Sequence, residues 1–247
     1  MALAKKNALP DRKEPALDKT AIRNASTIIV MRDWHEKPSV LMGQRGAKAA
    51  FMPNKFVFPG GAMDADDSLI PLAAPIGEPH RTRLLEQSTS DLAEGLVAAA
   101  IRELWEETGL ILGQPGTWQS DPHDDWRGFA DAGFVPSGDA LQFVFRAITP
   151  PGRPRRFDAR FFLVNAEAIQ NDLDDFSQAC DELSHLQWIP LSEARSFDLP
   201  FITEVVLAEV AANARHDAPP ASVPFFRNDD EESLFLRLRG FDPNADD

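Results

Sequence analysis

The chain has 247 residues, 43% hydrophobic and 26% charged, which is the balance of an ordinary globular protein long enough for one large domain or two small ones. Its net charge of −14 argues against nucleic acid or an anionic membrane as partner, since both attract basic patches; a small anionic substrate stays open because a bound cation reverses the local sign. A lone cysteine, Cys180, excludes an intrachain disulfide, and with no signal-like apolar N-terminus and no run of about 18 apolar residues the expected location is the cytoplasm.

Residues 1–24 are polar, carry Pro10 and Pro15, show no period and read as a flexible leader. A domain is expected over 25–215 and a tail over 216–247. Ser26-Thr-Ile-Ile-Val-Met31 is β-branched and apolar, Trp34 to Pro38 reads as a turn, and Ser39-Val-Leu-Met42 returns as a second strand. His35, in that turn beside Glu36 and Lys37, reads as solvated. Gly43-Gln-Arg45 and a loop through Pro53-Asn54 lead to the short strand Phe56-Val-Phe58. Pro59-Gly60-Gly61 then lets the backbone approach a ligand with no side chain in the way. Asp64, Asp66 and Asp67 follow in a loop. Pro71, Pro75 and Pro79 rule out one regular element there, and His80 to Gln87 suits a short helix.

Asp91 is spaced to Glu94 as in a capping box, so the next helix should start there. The alanines 98–100, Ile101 and Leu104 sustain it, and Gly109 supplies the residue type that ends a helix. Glu103, Glu106 and Glu107 fall at i, i+3 and i+4, so their carboxylates share one face. A bare acidic run is usually a solvated surface. Three anions on one strip also suit a hard divalent cation that takes oxygen ligands, Mg²⁺ or Mn²⁺. Glu94 precedes Glu103 by nine residues, about 900° of rotation, so in a continuous helix it points away. To join the other glutamates it needs an irregular first turn before Gly95.

Residues 113–140 read as loop around a short helix near Trp126 to Ala132, and 141–148 and 157–164 as antiparallel strands across the turn Pro150 to Pro154. Leu186 to Pro190 is a further strand, and Leu199 to Arg215 an amphipathic helix. Cys180 lacks a histidine and acid at recognisable spacing for a thiol nucleophile. Beyond Pro219-Pro220, Phe225, Phe226 and Leu234-Phe-Leu236 are apolar enough to dock on the domain or on a second subunit of a homodimer.

The block Arg102-Glu-Leu-x-Glu-Glu-x-Gly-Leu110 resembles the second half of the Nudix box. That box reads Gly, five residues, Glu, seven residues, then Arg-Glu-U-x-Glu-Glu-x-Gly-U, with U a bulky aliphatic. Counting back seven residues from Arg102 lands on Glu94, and Gly61 is the matching glycine, but the segment between them is 27 residues longer than the box has. The resemblance implies an α/β fold, a Nudix-type α/β/α sandwich with a mixed sheet, the insertion 62–93 lying on its surface near the site entrance. It implies metal ligation by Glu103, Glu106, Glu107 and the Gly60 carbonyl, with Arg102 orienting the glutamates and Glu103 and Glu107 catalytic. Glu182, just upstream of a Trp-containing strand, matches a further acidic position, and Arg45, Gly61 and Arg156 are the implied substrate contacts.

Phe51-Met-Pro, Thr149-Pro-Pro-Gly152 and Arg156-Phe-Asp-Ala-Arg-Phe-Phe162 are similar to the expanded-box branch that contains the mammalian peroxisomal coenzyme A diphosphatase and bacterial relatives. The implied activity is metal-dependent hydrolysis of a diphosphate linkage in a nucleotide-derived small molecule, coenzyme A or acyl-CoA first. Alternatives are an ADP-ribose or dinucleotide pyrophosphatase and, from another class, a non-catalytic nucleotide-binding module, which the retention of Glu103, Glu106 and Glu107 disfavours.

Overall fold

A strand that is apolar on both faces belongs in the middle of a sandwich, and Ile22–Arg32 (β1) is such a strand. Ile28 and Val30 are buried on one face and Ile29 and Met31 on the other. The computed structural model describes residues 21–49, 51–88, 90–213, 219–228 and 233–240, so the leader up to residue 20 lies outside it. After β1 come Ser39–Arg45 (β2), Phe56–Val57 (β3) and Gly60–Ala62 (β4), then His80–Leu85 (α1) and Ala93–Thr108 (α2). Next are Gly113–Pro115 (β5), Arg127–Asp131 (α3), Phe134–Pro136 (β6), Gln142–Ile148 (β7), Arg156–Asn165 (β8) and Leu183–Pro190 (β9). Phe201–Asn213 (α4), Val223–Asn228 (β10) and Ser233–Leu238 (β11) complete the described chain.

The main sheet runs β11-β10-β7-β8-β1-β2-β3, with β4 also on β1 and β9 also on β2. β1 is parallel to β8 and β10 to β7, while β7 and β8, and β1 and β2, are antiparallel, so the sheet is mixed. Helix α2 covers one face over Ile28, Val30, Leu41, Phe143 and Phe162. Helix α4 covers part of the other over Ile29, Met31, Val40, Phe145 and Leu163. This is the α/β/α layering expected of alternating strands and amphipathic helices. Truncating a core residue such as Ile28, fully buried, should cost about 2–5 kcal/mol.

Helix α2 ends at Gly109, whose left-handed φ of 74° closes the last turn, with its N–H bonded to the Trp105 carbonyl. Leu92 caps the start without a side-chain bond, so the anticipated box of Asp91 and Glu94 is not formed; Asp91 Oδ1 accepts instead from the N–H of Ala93. The first turn is regular helix, and Gly95 serves packing. A Cβ there would run into Met63 and Ser68, which lie against the helix.

Two segments depart from the expected pattern. Residues 113–140 hold a small hairpin, β5 with β6, beside α3, although Pro115 and Pro136 in three-residue strands looked like loop chemistry. The segment set apart as a tail supplies β10 and β11 to the main sheet. Pro224 is tolerated because β10 meets its parallel neighbour β7 only at Phe225 and Phe226, where no proline N–H is needed. Val223, Phe225 and Leu238 of this segment are buried against the domain itself, while Phe235 stays exposed.

The insertion packs on the α2 side of the sheet. His80 Nδ1 accepts the N–H of Phe143, and Glu86 accepts those of Arg239 and Gly240. Burial pushes the His80 imidazole down to about 4, so it is neutral, as an acceptor must be.

Candidate active site

Helix α2 presents its glutamates to the glycine strand β4, which is pinned from behind by β1. The Pro59 carbonyl accepts the N–H of Ile28, and a Cβ on Gly60 would lie 2.5 Å from the Ser26 carbonyl oxygen. Ser26, fully buried, in turn donates its hydroxyl to the Leu96 carbonyl on α2, 2.6 Å away. Only glycine lets β4 lie this close to β1. The Gly60 N–H donates to Glu107 Oε2 at 2.8 Å, and the Glu103 carboxylate lies in the space that a side chain on Gly61 would fill.

Arg102 uses all five of its N–H donors. Nε and Nη2 grip the two oxygens of Asp67 at 3.0 and 3.1 Å, Nη2 also meets the Ala62 carbonyl, and Nη1 donates to Glu103 Oε1 (2.9 Å) and Glu106 Oε2 (3.1 Å). Asp67, buried in the 3₁₀ turn Ala65–Leu69, appeared in the sequence only as one of three loop acids.

One guanidinium does not neutralise this many anions. Burial, and then the charge of Glu106, push the Glu103 carboxyl up to about 7 against the pull of Arg102. Burial also raises Glu106, and burial with the nearby Glu103 charge raises Glu107 well above the carboxylate range. Glu107 Oε1 is buried with no hydrogen-bond partner. A hard oxygen donor without a partner, in a pocket short of positive charge, is what a divalent cation completes. The donors fit in kind, but their arrangement differs from the converging trio expected. Among the described residues no three acidic, histidine or cysteine side chains surround one point, because Glu103 and Glu106 are drawn onto Arg102 and Glu107 onto Gly60.

Beside Glu103 opens a cleft of about 730 Å³ on the part of the sheet that α4 leaves uncovered. Its floor is Thr27, Ala147, Phe161 and Phe226; Phe51 and Phe157 meet edge to face at one wall, 5.4 Å between ring centres. Arg23, Arg45, Arg153 and Arg155 line it, so a chain of net charge −14 has here a locally cationic rim.

The structure brings Gly60, Gly61, Glu103, Arg45 and Glu182 to this cleft. Arg45 Nη2 donates to Glu182 Oε1 at 2.8 Å, and the Glu182 charge contributes to the raised values of both Glu103 and Glu107. Asp181 is exposed and does not line the cleft. Arg156, an expected substrate contact, is elsewhere. It is buried, donates to the carbonyls of Thr149 and Asn228, and belongs to the opposite side of β8 from Phe157, since side chains alternate along a strand. Its neighbours Arg153 and Arg155, on the turn before β8, line the cleft in its place. The cluster Arg153-Pro-Arg-Arg156 was the available signal, and the choice within it depended on register. Glu94 is also elsewhere: its carboxylate takes Arg81 Nε at 3.2 Å. Of the insertion 62–93, among the described residues only Ala62 lines the cleft; Asp64 lies 3.5 Å from Arg23 at its rim, and Asp67 meets the site through Arg102.

No protein-family model matches the chain. A Caenorhabditis elegans protein that carries the name nudix hydrolase 7 is 30% identical over 183 residues, 69% of this chain and 52% of that protein. The chain thus spans about half the length of the curated relative it matches. Among solved structures, a NUDIX hydrolase from Alicyclobacillus acidocaldarius superposes with a TM-score of 0.57 and 29% identity, covering 78% of this chain and 92% of the other. The fold is the one that these proteins share.

Proposed function

We propose that this chain, which its fold, its box and these relatives place in the Nudix hydrolase superfamily, hydrolyses a diphosphate linkage in a nucleoside diphosphate derivative, coenzyme A or an acyl-CoA first among them. The observation that carries the reading is the junction at Glu103: buried carboxylates, one with a partnerless oxygen, at one end of a large cleft whose floor is aromatic and whose rim is arginine. A diphosphate flanked by a nucleoside and by an arm that, in an acyl-CoA, ends in an apolar acyl chain matches that division. Glu103, Glu106, Glu107 and the Gly60 carbonyl would hold Mg²⁺ or Mn²⁺, and such an ion polarises a phosphoryl oxygen and lowers the pKa of bound water.

The chain's own groups do the rest. Arg102 holds Glu103 and Glu106 in one orientation, and the Gly60 N–H fixes Glu107. Arg23 and Arg45 face phosphate oxygens, where a guanidinium fork offers paired donors. Glu182, held by Arg45 at the cleft wall, accepts the proton of the attacking water at its carboxylate. The phenylalanines exclude bulk water from the substrate's apolar arm. Position and field supply the catalysis, with no covalent intermediate.

The test is a screen of coenzyme A, acyl-CoA, ADP-ribose, NADH and diadenosine polyphosphates with Mg²⁺ and with Mn²⁺. The expected result is cleavage of coenzyme A or its acyl esters, with the highest kcat/KM, into two phosphomonoesters. Preference for ADP-ribose or a dinucleotide would overturn the substrate assignment, and no turnover of any would overturn the activity.

A further inference from the structure

Two acidic residues satisfy the box by half. Counted back from Arg102, the acidic position seven residues away is Glu94; counted forward from Gly61, the residue after an interval of five is Asp67. The two counts disagree by the length of the insertion, and spacing alone cannot choose between them. The side chains can. Asp67 is buried at 3% exposure, and both its oxygens bond the Nε and Nη2 edge of Arg102. Glu94 lies on the flank of α2 turned away from Glu103, with its side chain 44% exposed and occupied by Arg81 of the insertion.

The geometry points to Asp67 as the acidic member of the box in this chain, a positioning residue that fixes Arg102 and through it Glu103 and Glu106, while Glu94 serves only to fasten the insertion. The extra residues then run from 68 to 94, entering after the acidic position. Asp67 does not line the cleft and is not a catalytic residue. Its effect passes through the guanidinium. With the Nε edge fixed by a carboxylate, only Nη1 is left for the glutamates, so Glu103 and Glu106 each take one bond from it and keep an oxygen for a cation. Without Asp67 the fork is free to turn and take a glutamate through two parallel bonds, the arrangement that guanidinium and carboxylate prefer. That would divert a metal ligand, and a displacement of about 1 Å in such a group can cost about a hundredfold in rate.

This inference rests on the proposed hydrolase reading for its kinetic arm alone. The test uses the full chain with Asp67→Asn, Asp67→Glu and Glu94→Gln. Mn²⁺ binding without substrate is followed by electron paramagnetic resonance, folding by circular dichroism, and turnover with the best substrate of the screen. Asp67→Asn should weaken Mn²⁺ binding about tenfold and lower kcat about tenfold to a hundredfold with KM within about twofold. Asp67→Glu should recover at least about ten times the kcat of Asp67→Asn, and Glu94→Gln should match the wild type in both readouts. Folded Asp67→Asn with unchanged Mn²⁺ binding overturns the proposal. So does weakened Mn²⁺ binding in Glu94→Gln, which decides the matter even where Asp67→Asn does not fold. Absence of hydrolysis in the wild type would remove the activity reading, with the Mn²⁺ titrations still deciding the role of Asp67.

Discussion

Gly61 and Glu103 share one small volume: the carboxylate of the helix residue occupies the space where any side chain on the strand residue would stand. Gly61→Ala should therefore displace Glu103 from the cleft wall. Steady-state kinetics should show a loss of about a hundredfold in kcat. The methyl group is small and the site lies at the edge of the core, so far-ultraviolet circular dichroism should stay near the wild-type spectrum. A variant with wild-type kcat would remove Glu103 from the site.

Glu107→Gln keeps the acceptor for the Gly60 N–H but removes a charge from the place where an oxygen is already without a partner. Turnover should fall by about three orders of magnitude, roughly 4 kcal/mol in barrier height. The rise in melting temperature that saturating Mn²⁺ gives the wild type should shrink in the same variant, since a ligand stabilises only in proportion to its binding. Steady-state kinetics checks the first and calorimetry with and without Mn²⁺ the second.

The raised Glu103 value predicts a direction for stability against pH. Its carboxyl titrates near 7 in the folded chain and near 4.5 as an ordinary glutamate, so between those values the folded state keeps a proton that the unfolded state has lost. Stability from this group is complete below about pH 4.5 and is lost as pH rises through about 7. In a chelating buffer, Glu103→Gln should gain in melting temperature relative to the wild type on going from pH 5 to pH 8. An unchanged difference between the two proteins would contradict the burial of that charge.

Glu182 and Asp181 adjoin in sequence, but only Glu182 lines the cleft and bonds Arg45. Glu182→Gln should lose about a hundredfold in kcat, the lower end of the usual scale for a general base. Asp181→Asn should lose less than about twofold. Equal small effects would move the proton acceptor onto α2.

Arg155 and Arg156 separate binding from stability. Arg155→Ala, at the cleft rim, should raise KM several-fold and leave melting unchanged. Arg156→Ala leaves the carbonyls of Thr149 and Asn228 without a donor in a buried place, which should cost about 3 kcal/mol and show as a lowered melting temperature. The reverse pattern would mean that the register of β8 is misplaced by one residue.

What could be read from the residues divides by how local its cause is. Helix α2 was legible because its period, its alanines and Gly109 lie within one stretch, and so was the mixed central sheet with its β-branched runs. The partner of Arg102 was not, because an arginine reports only that it needs an anion; Asp64, Asp66, Asp67 and Glu94 all compete until the chain is folded. Arg156 was misassigned for a reason of parity, since along a strand one residue separates cleft from core. The strands β10 and β11 are hidden because pairing with a strand some 80 residues earlier leaves no local trace beyond alternation.

The same long-range pairing sets an order of events during synthesis. Phe226 and Asn228 line the cleft, and Asn228 ties back to the Ile148 carbonyl at 2.9 Å while receiving Arg156 on its own carbonyl. Helix α2 and its glutamates leave the ribosome more than a hundred residues earlier. A nascent chain can thus gather its charged helix long before it owns a substrate cleft, and the closing step is the insertion of β10 alongside β7, a slow non-local contact of the kind that limits folding rates. Competence for ligand arrives with the last strands, so a stalled translation product should contain the acidic helix and still bind nothing in the cleft.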